Sequence, residues 1–487
     1  MGTVTTVPAT SRAPNTRLRA LISESRWTGQ GLARAVNAAG TELGLELTYD
    51  RTTVSHWLSG SRPPATIARL AAEALSRRLG RVVSVPDTGL GQPGPQPPVP
   101  ALASTPATPE TSGKDASIAH LVDLCVADAD PSRRAALRDL VYSLNALRGA
   151  GGTPSPTAAG SVTGTGVGID SSIGGGSGTG IGGGADADAW HARGSHRAQA
   201  VRAMTGLFSA ADSQFGGGHI RPALTAYLSG DVASWLRRPG PSDAHRELTS
   251  AAAELGYLAA FVCFDSGLHG LAQRYYLASL GLAEHSGDAV LRTTILRGMS
   301  VQAYRLRHVR ESLQLAEAAN AGSRDVPTTR AAALAGQLAV AAAANGLHRE
   351  AAVHLRRAER LLDASGSADE PVGAYHRSAL CHQASEVLAA AGDRRAAIDV
   401  LGSSIRQRPG GERRSRAVTV ARLAHLQLDV GHLEAACATV GELCEDVPYL
   451  HSARTADSLD ALRMRLRPFS RNRDARTALA RISTLRE

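Results

Sequence analysis

Lysine is almost missing from this chain: Lys114 is the only one among 53 basic residues, and the other cations are arginine. A Walker-type phosphate loop needs Gly-Lys-Ser/Thr, and Lys114 is followed by Asp115, which excludes that device. Cysteine is scarce, odd in number and scattered. Cys125, Cys263, Cys381, Cys437 and Cys444 form no C-x-x-C pair, so neither a disulfide frame nor a zinc ribbon is expected. No uninterrupted apolar run approaches the roughly 18 residues that a membrane span needs. The N-terminal MGTVTTVPATSRAPN has no apolar signal region, and a cytoplasmic location is expected. Catalytic signatures are lacking too: there is no H-E-x-x-H and no G-x-S-x-G. His191 and His196, like His376 and His382, are spaced too widely for a metal pair on one helical turn. The expectation is a chain that is not an enzyme and has no metal, no cofactor and no membrane partner.

What is present is length, arginine and helical periodicity. A chain of 487 residues exceeds what one hydrophobic core organises, so at least two units are expected. The net charge of +9 is unevenly spread: residues 15–85 hold ten arginines against Glu24, Glu42, Glu46, Asp50 and Glu73, a net of +5. Arginine supplies bidentate phosphate and guanine contacts, so this bias suits a nucleic-acid partner. Composition then divides the chain into a helical basic segment (15–85), a proline-rich linker (86–114), a short helical segment (115–148), a glycine-rich linker expected to be disordered (149–184), and an alanine- and leucine-rich remainder (185–487). Gly178-x-Gly180-x-x-Gly183 has the spacing of a dinucleotide fingerprint, but no strand precedes it and no apolar helix follows, so it reads as linker.

The long C-terminal remainder repeats. GLHGLAQRYYLASL (267–280), GLHREAAVHLRRAE (346–359), GDRRAAIDVLGSSI (392–405) and GHLEAACATVGELC (431–444) each begin with glycine, and a weaker copy starts at Arg307. Alanine follows five residues later at Ala272, Ala351, Ala397 and Ala436, then a large residue at Tyr276, Leu355, Leu401 and Val440. A glycine that ends one helix, a tight turn and a second helix with a small residue at the crossing describe a helical hairpin. One hairpin cannot bury its apolar face alone, so the copies are expected to stack as an α-solenoid. The spacing resembles the second half of a tetratricopeptide repeat, without most of that consensus's early Trp and closing Pro. The aromatics Tyr257, Phe261, Phe264, Tyr275 and Tyr276 are concentrated in this stretch. They read first as core, and Tyr257, Phe261, Tyr275 and Tyr276 are alternatively the wall of a candidate effector groove.

In the N-terminal segment, Thr16–Ser25 predicts a first helix, Thr28 caps a second, and Asp50 caps a third that ends at Gly60. Val54 and Trp57 face the core in the third helix, and Arg51, Thr52, Ser55 and His56 point outward. A helix anchored on one side and polar on the other is suited to the major groove. There Arg51 would pair with guanine, and the hydroxyls and imidazole would serve bases or phosphates. Gln30 and Arg62 stand where phosphate contacts are expected. A solvated helix face is the plainer reading of the same residues, and a solvated tail that of the basic run RMRLRPFSRNRDAR (463–476).

Gln30-Gly-Leu-Ala33 followed by Thr53-Val54-Ser55-His56-Trp57-Leu58-Ser59-Gly60-Ser-Arg62-x-Pro64 resembles the phage-repressor (Xre-type) DNA-binding domain. Joined to the solenoid, and with FDSGLHGLAQRYYLASLGLAEHSGD (264–288), it resembles actinobacterial helix-turn-helix/tetratricopeptide regulators. Some of these are pleiotropic negative regulators of sporulation and antibiotic production in streptomycetes. That resemblance implies an all-α chain that binds double-stranded DNA as a homodimer and represses transcription, with the solenoid taking a peptide, small-molecule or protein effector. One departure stands out: GTELGLELTY (40–49) replaces the tight turn between helices two and three. A protein-interaction scaffold whose head no longer binds DNA is the competing expectation.

Overall fold

The computed structural model describes residues 13–91, 113–130, 133, 137, 140–147, 183–238, 242–322, 326–365 and 375–485. Among them every regular element is a helix. Of the expected linkers, 92–112 and 149–182 lie outside the described residues, and with them Gly178 and Gly180.

The N-terminal head contains α1 (Thr16–Glu24), α2 (Gly29–Thr41), α3 (Arg51–Leu58), α4 (Ala65–Leu79) and a short α5 (Val85–Thr88). Capping residues set the starts. The side chains of Asn15, Thr28 and Asp50 accept the backbone N–H groups of Leu18, Gly31 and Thr53. Leu18, Leu32, Val36, Val54, Trp57 and Leu70 fill the centre of the head. The head extends beyond Val85: Leu90 is fully buried, and Asn15 Nδ2 donates to the Thr88 carbonyl at 2.9 Å.

The segment 40–49 lies against the side of α2. The Asn37 amide bonds both backbone groups of Tyr49, at 2.9 and 3.0 Å, and Leu47 closes over Gly40, where a side chain would collide with it.

In the body, α6 (Gly113–Ala129), α7 (Gly183–Phe215) and α8 (Gly217–Tyr227) precede six hairpins. These are α9 (Ser242–Asp265) with α10 (His269–Ser286), α11 (Ala289–Arg305) with α12 (Val309–Ala321), and α13 (Thr328–Ala344) with α14 (His348–Ala364). They continue as α15 (Arg377–Ala390) with α16 (Arg394–Arg406), α17 (Arg413–Asp429) with α18 (Leu433–Asp446), and α19 (Ala453–Leu466) with α20 (Arg473–Thr484). The described part of the expected separate segment 115–148 belongs to this body: Leu121, Val122, Leu124 and Cys125 of α6 share one core with α9 and α10. Asp243–Asp265 is long and apolar enough to cross a membrane, but it is mostly buried as the central helix of that core.

The repeat has a physical basis in the turns. Gly267, Gly346, Gly392 and Gly431 all take φ between +73° and +92°. In each turn the N–H of the next residue reaches a carbonyl five residues back: Leu268 to Cys263, Leu347 to Ala342, Asp393 to Leu388 and His432 to Gln427. This is a Schellman closure of the first helix. The weaker copy makes the same bond, His308 to Ala303, with Arg307 in the glycine's place at φ +67°. Ala272, Ala351, Ala397 and Ala436 are completely buried at the helix crossings.

The stack turns back on its beginning. Gly218 donates to the His451 carbonyl and His451 N–H donates to Phe215, at 2.9 and 2.8 Å. A Cβ at Gly216 or Gly218 would meet the His451 carbonyl oxygen within 3 Å, so the run of glycines at 216–218 permits this closure. Arg414 of α17 pairs with Asp212 of α7 at 2.9 Å, and Ser452 donates to Asp265.

Candidate nucleic-acid interface and body groove

On α3 the two sides divide as expected. Val54 is fully buried and Trp57 is 4% exposed, its ring meeting Tyr49 edge-on at 5.6 Å. Arg51, Thr52, Ser55 and His56 are exposed, and so is Arg62 beyond the helix. Gln30 is placed differently from the rest: it is half-buried, and its Oε1 accepts the backbone N–H of Arg51 at 3.1 Å. Its carbonyl therefore holds the first turn of α3 to α2, leaving its amide NH2 as the remaining donor.

The second site is a groove of about 650 Å³ on the inner side of the body. The first helix of each hairpin contributes to it: Tyr257 and Phe261 from α9, Arg297, Val301, Tyr304 and Arg305 from α11, Gln337 and Val340 from α13. His382 and Glu386 come from α15, Arg414 and Thr419 from α17, Arg454 from α19, and Asp212 of α7 closes it. Of the four aromatics read first as core and alternatively as a groove wall, Tyr257 and Phe261 line the groove, although Tyr257 shows only 5% of its surface. Tyr275 and Tyr276 do not: both are fully buried in the core behind it, with Tyr275 donating its hydroxyl to Asp128 at 3.1 Å. Tyr276 is the large residue of the repeat, which carries it into the helix–helix seam.

Sequence reasoning missed the polar wall because its members come from helices far apart in the chain. Glu386 accepts from Arg422 and Tyr304, at 2.5 and 2.7 Å, and Glu412 accepts from Arg408 and pairs with His376, at 2.8 and 2.7 Å. Burial pushes the His382 imidazole down to about 4 and the Asp212 carboxyl up to about 6, the latter against the pull of Arg414. Gly336 makes room for this wall, since a Cβ there would strike the Gln383 amide oxygen and the Tyr375 hydroxyl.

Head and body meet at a charged clamp. Arg77 of α4 bonds both oxygens of Glu42 at 2.7 and 2.9 Å, Glu73 at 2.9 Å and the Tyr142 carbonyl at 2.7 Å. His308, in the turn after α11, brings Nε2 to 3.3 Å from the same Glu42 and stacks its ring on Tyr142 at 5.5 Å. Glu73 also accepts the Leu144 N–H, and the Gln273 amide bonds both backbone groups of Ser143. Burial pushes the Glu42 carboxyl up, but His308 and Arg77 outweigh it and hold it below its ordinary range.

Residues 18–91 match the family described as the SP15 N-terminal domain. The match ends one residue beyond Leu90, the last core residue of the head, and so covers the head from α1 through α5. No curated protein matches the chain.

Proposed function

We propose that this chain is a sequence-specific DNA-binding transcriptional regulator, with a helix-turn-helix head and a tetratricopeptide-like body that takes an effector. The observation that carries the reading is the division of α3: Val54 and Trp57 fix it in the core, and Arg51, Thr52, Ser55 and His56 stand together in solvent. A rigidly held helix with an arginine, two hydroxyls and an imidazole on its free side has the chemistry to read a major groove. Dimerisation and a repressive effect on development or secondary metabolism follow from the family resemblance, a cytoplasmic location follows from the composition, and together they complete the proposal.

A physical route joins the two sites. Arg297, Val301, Tyr304 and Arg305 lie at positions i, i+4, i+7 and i+8 of α11 and line the groove. Three residues past Arg305, His308 touches Glu42 at the end of α2. An occupant that shifts the end of α11 acts on the clamp that orients the head, to the extent that it binds the two arrangements unequally.

The test is genome-wide DNA capture with the full-length protein beside an Arg51→Ala, Ser55→Ala double variant. Discrete peaks that share a motif and vanish in the variant are expected. Folded protein that captures no DNA above background defeats the reading and favours the interaction scaffold.

A further inference from the structure

The effector groove proposed above carries more positive charge than its own carboxylates neutralise, and this bears on what fills it. Arg297, Arg305, Arg408, Arg414 and Arg454 face Asp212, Glu386 and Glu412. All three carboxylates are engaged: Asp212 by Arg414 at 2.9 Å, Glu386 by Arg422 at 2.5 Å, and Glu412 by Arg408 at 2.8 Å. Arg297 donates to a carbonyl, that of Ala333. Arg305 is exposed at the end of α11. The closest carboxylate approach of Arg454 is to Asp265 at 3.9 Å, and its buried Nε finds no hydrogen-bond partner among the described residues.

A buried guanidinium without a good acceptor is costly, so an acceptor brought by a ligand recovers that free energy. The Phe261 ring lies beneath Arg414 at 4.7 Å, and Tyr257, Val301 and Val340 continue an apolar strip beside the cations. A volume of about 650 Å³ suits a small organic molecule.

We propose that the groove binds a small organic anion, a carboxylate or phosphate joined to an apolar or aromatic group. Its anionic end sits at Arg305, Arg414 and Arg454, and its apolar end lies against Tyr257 and Phe261. Burial first, then the charges of Arg305 and Arg414, press Arg454 down to about 9 against the pull of Asp265. Arginine keeps its proton at physiological pH, so the share of this pressure that comes from Arg305 and Arg414 is positive potential that an anion relieves. The proposal rests on the groove being the effector site but requires no DNA binding.

The experiment is calorimetric titration of the full-length protein, without DNA, using phenyl phosphate and phenylacetate as acidic probes and benzyl alcohol as their neutral counterpart. Saturable single-site binding of at least one acid is expected, with benzyl alcohol inert. Preference between the acids tells a phosphate ester from a carboxylate. Arg305→Gln breaks no described ion pair and is expected to leave the fold intact while weakening binding at least tenfold; Arg454→Gln is expected to act in the same direction. Failure of both acids to saturate below about 10 mM overturns the proposal, as does equal binding of the alcohol or unchanged affinity in Arg305→Gln. Acid binding with no DNA capture retains this inference and rejects the regulator, and the converse result separates them equally well.

Discussion

Two residues of α3, Arg51 and Trp57, sit six positions apart on an eight-residue helix and do unlike work. The Trp57 ring is buried against Tyr49 and the head core, so Trp57→Ala removes apolar contact and leaves a cavity. A loss of about 3–5 kcal/mol is expected, enough to unfold the head at ordinary temperatures. The Arg51 side chain is exposed, and Arg51→Ala should change stability by no more than about 0.5 kcal/mol. Urea unfolding of the full-length protein followed by hydrogen exchange in α1–α4 checks both. A large stability effect of Arg51→Ala would place that side chain in the structure of the head rather than on a contact face. Gln30 shows how a residue legible as polar and near a helix start can carry a structural bond that its sequence position does not reveal. Its sequence position fits a phosphate contact, but the fold brings Arg51 N–H within 3.1 Å and takes up its carbonyl oxygen.

At the scale of the hairpin, the turn conformation repeats more faithfully than the sequence. Four turns use glycine in the left-handed region, and the fifth forces Arg307 into it at φ +67°. A side chain there costs roughly 1–2 kcal/mol, and glycine's greater freedom in the unfolded chain returns part of that cost. Arg307→Gly is therefore expected to stabilise the protein by roughly 0.5–1 kcal/mol, whereas Gly346→Ala should destabilise it by a similar amount. Thermal unfolding of the two variants decides the matter: equal shifts of the same sign would mean that turn geometry is not what the repeat specifies. The glycine positions and the buried alanines were legible in sequence because each turn is a local event. The return of α17 and of the turn before α19 onto α7 and α8 was not, since it depends on Arg414 meeting Asp212, 202 residues away in the chain, and on His451 bonding to Phe215 and Gly218.

Across the whole molecule, the clamp of Glu42, Arg77 and His308 makes head and body one assembly. The Glu42 carboxyl is held below its ordinary value of 4.5, so the charged form is the one the native contact favours. Its contribution is complete above pH 4.5 and is lost as pH falls through the depressed folded value. Acid should then raise hydrogen exchange in the described segment 140–147 before the hairpins of the body open. Glu42→Gln should show the same loosening at pH 7, and equal protection in variant and wild type would remove the clamp from the account. His382 adds a second pH effect of the same sign. Buried in neutral form and depressed from 6.5 to about 4, it makes the native state bind fewer protons than the unfolded chain between those values. The His382 contribution to stability is thus expected to be lost as pH drops from 6.5 toward 4, opposed by the raised Asp212 carboxyl, so that His382→Asn loses less stability over this window than the wild type.

Sequence alone determined what depends on neighbours a few residues apart. The helical class, the capping of α2 and α3, the buried Val54 and Trp57, and the repeated glycine turns all follow from side-chain size, hydrogen bonding and φ preference over one or two helical turns. Only the tertiary structure decided which charges meet. It put Tyr275 and Tyr276 in the core rather than on the alternative groove wall, made α6 part of the body, and gave Glu42 of the inserted segment a place in the head–body clamp. It also gathered arginines from α11, α17 and α19 around one cavity. Burial and Coulomb pairing act through space between remote segments, and no local pattern of residues encodes those distances.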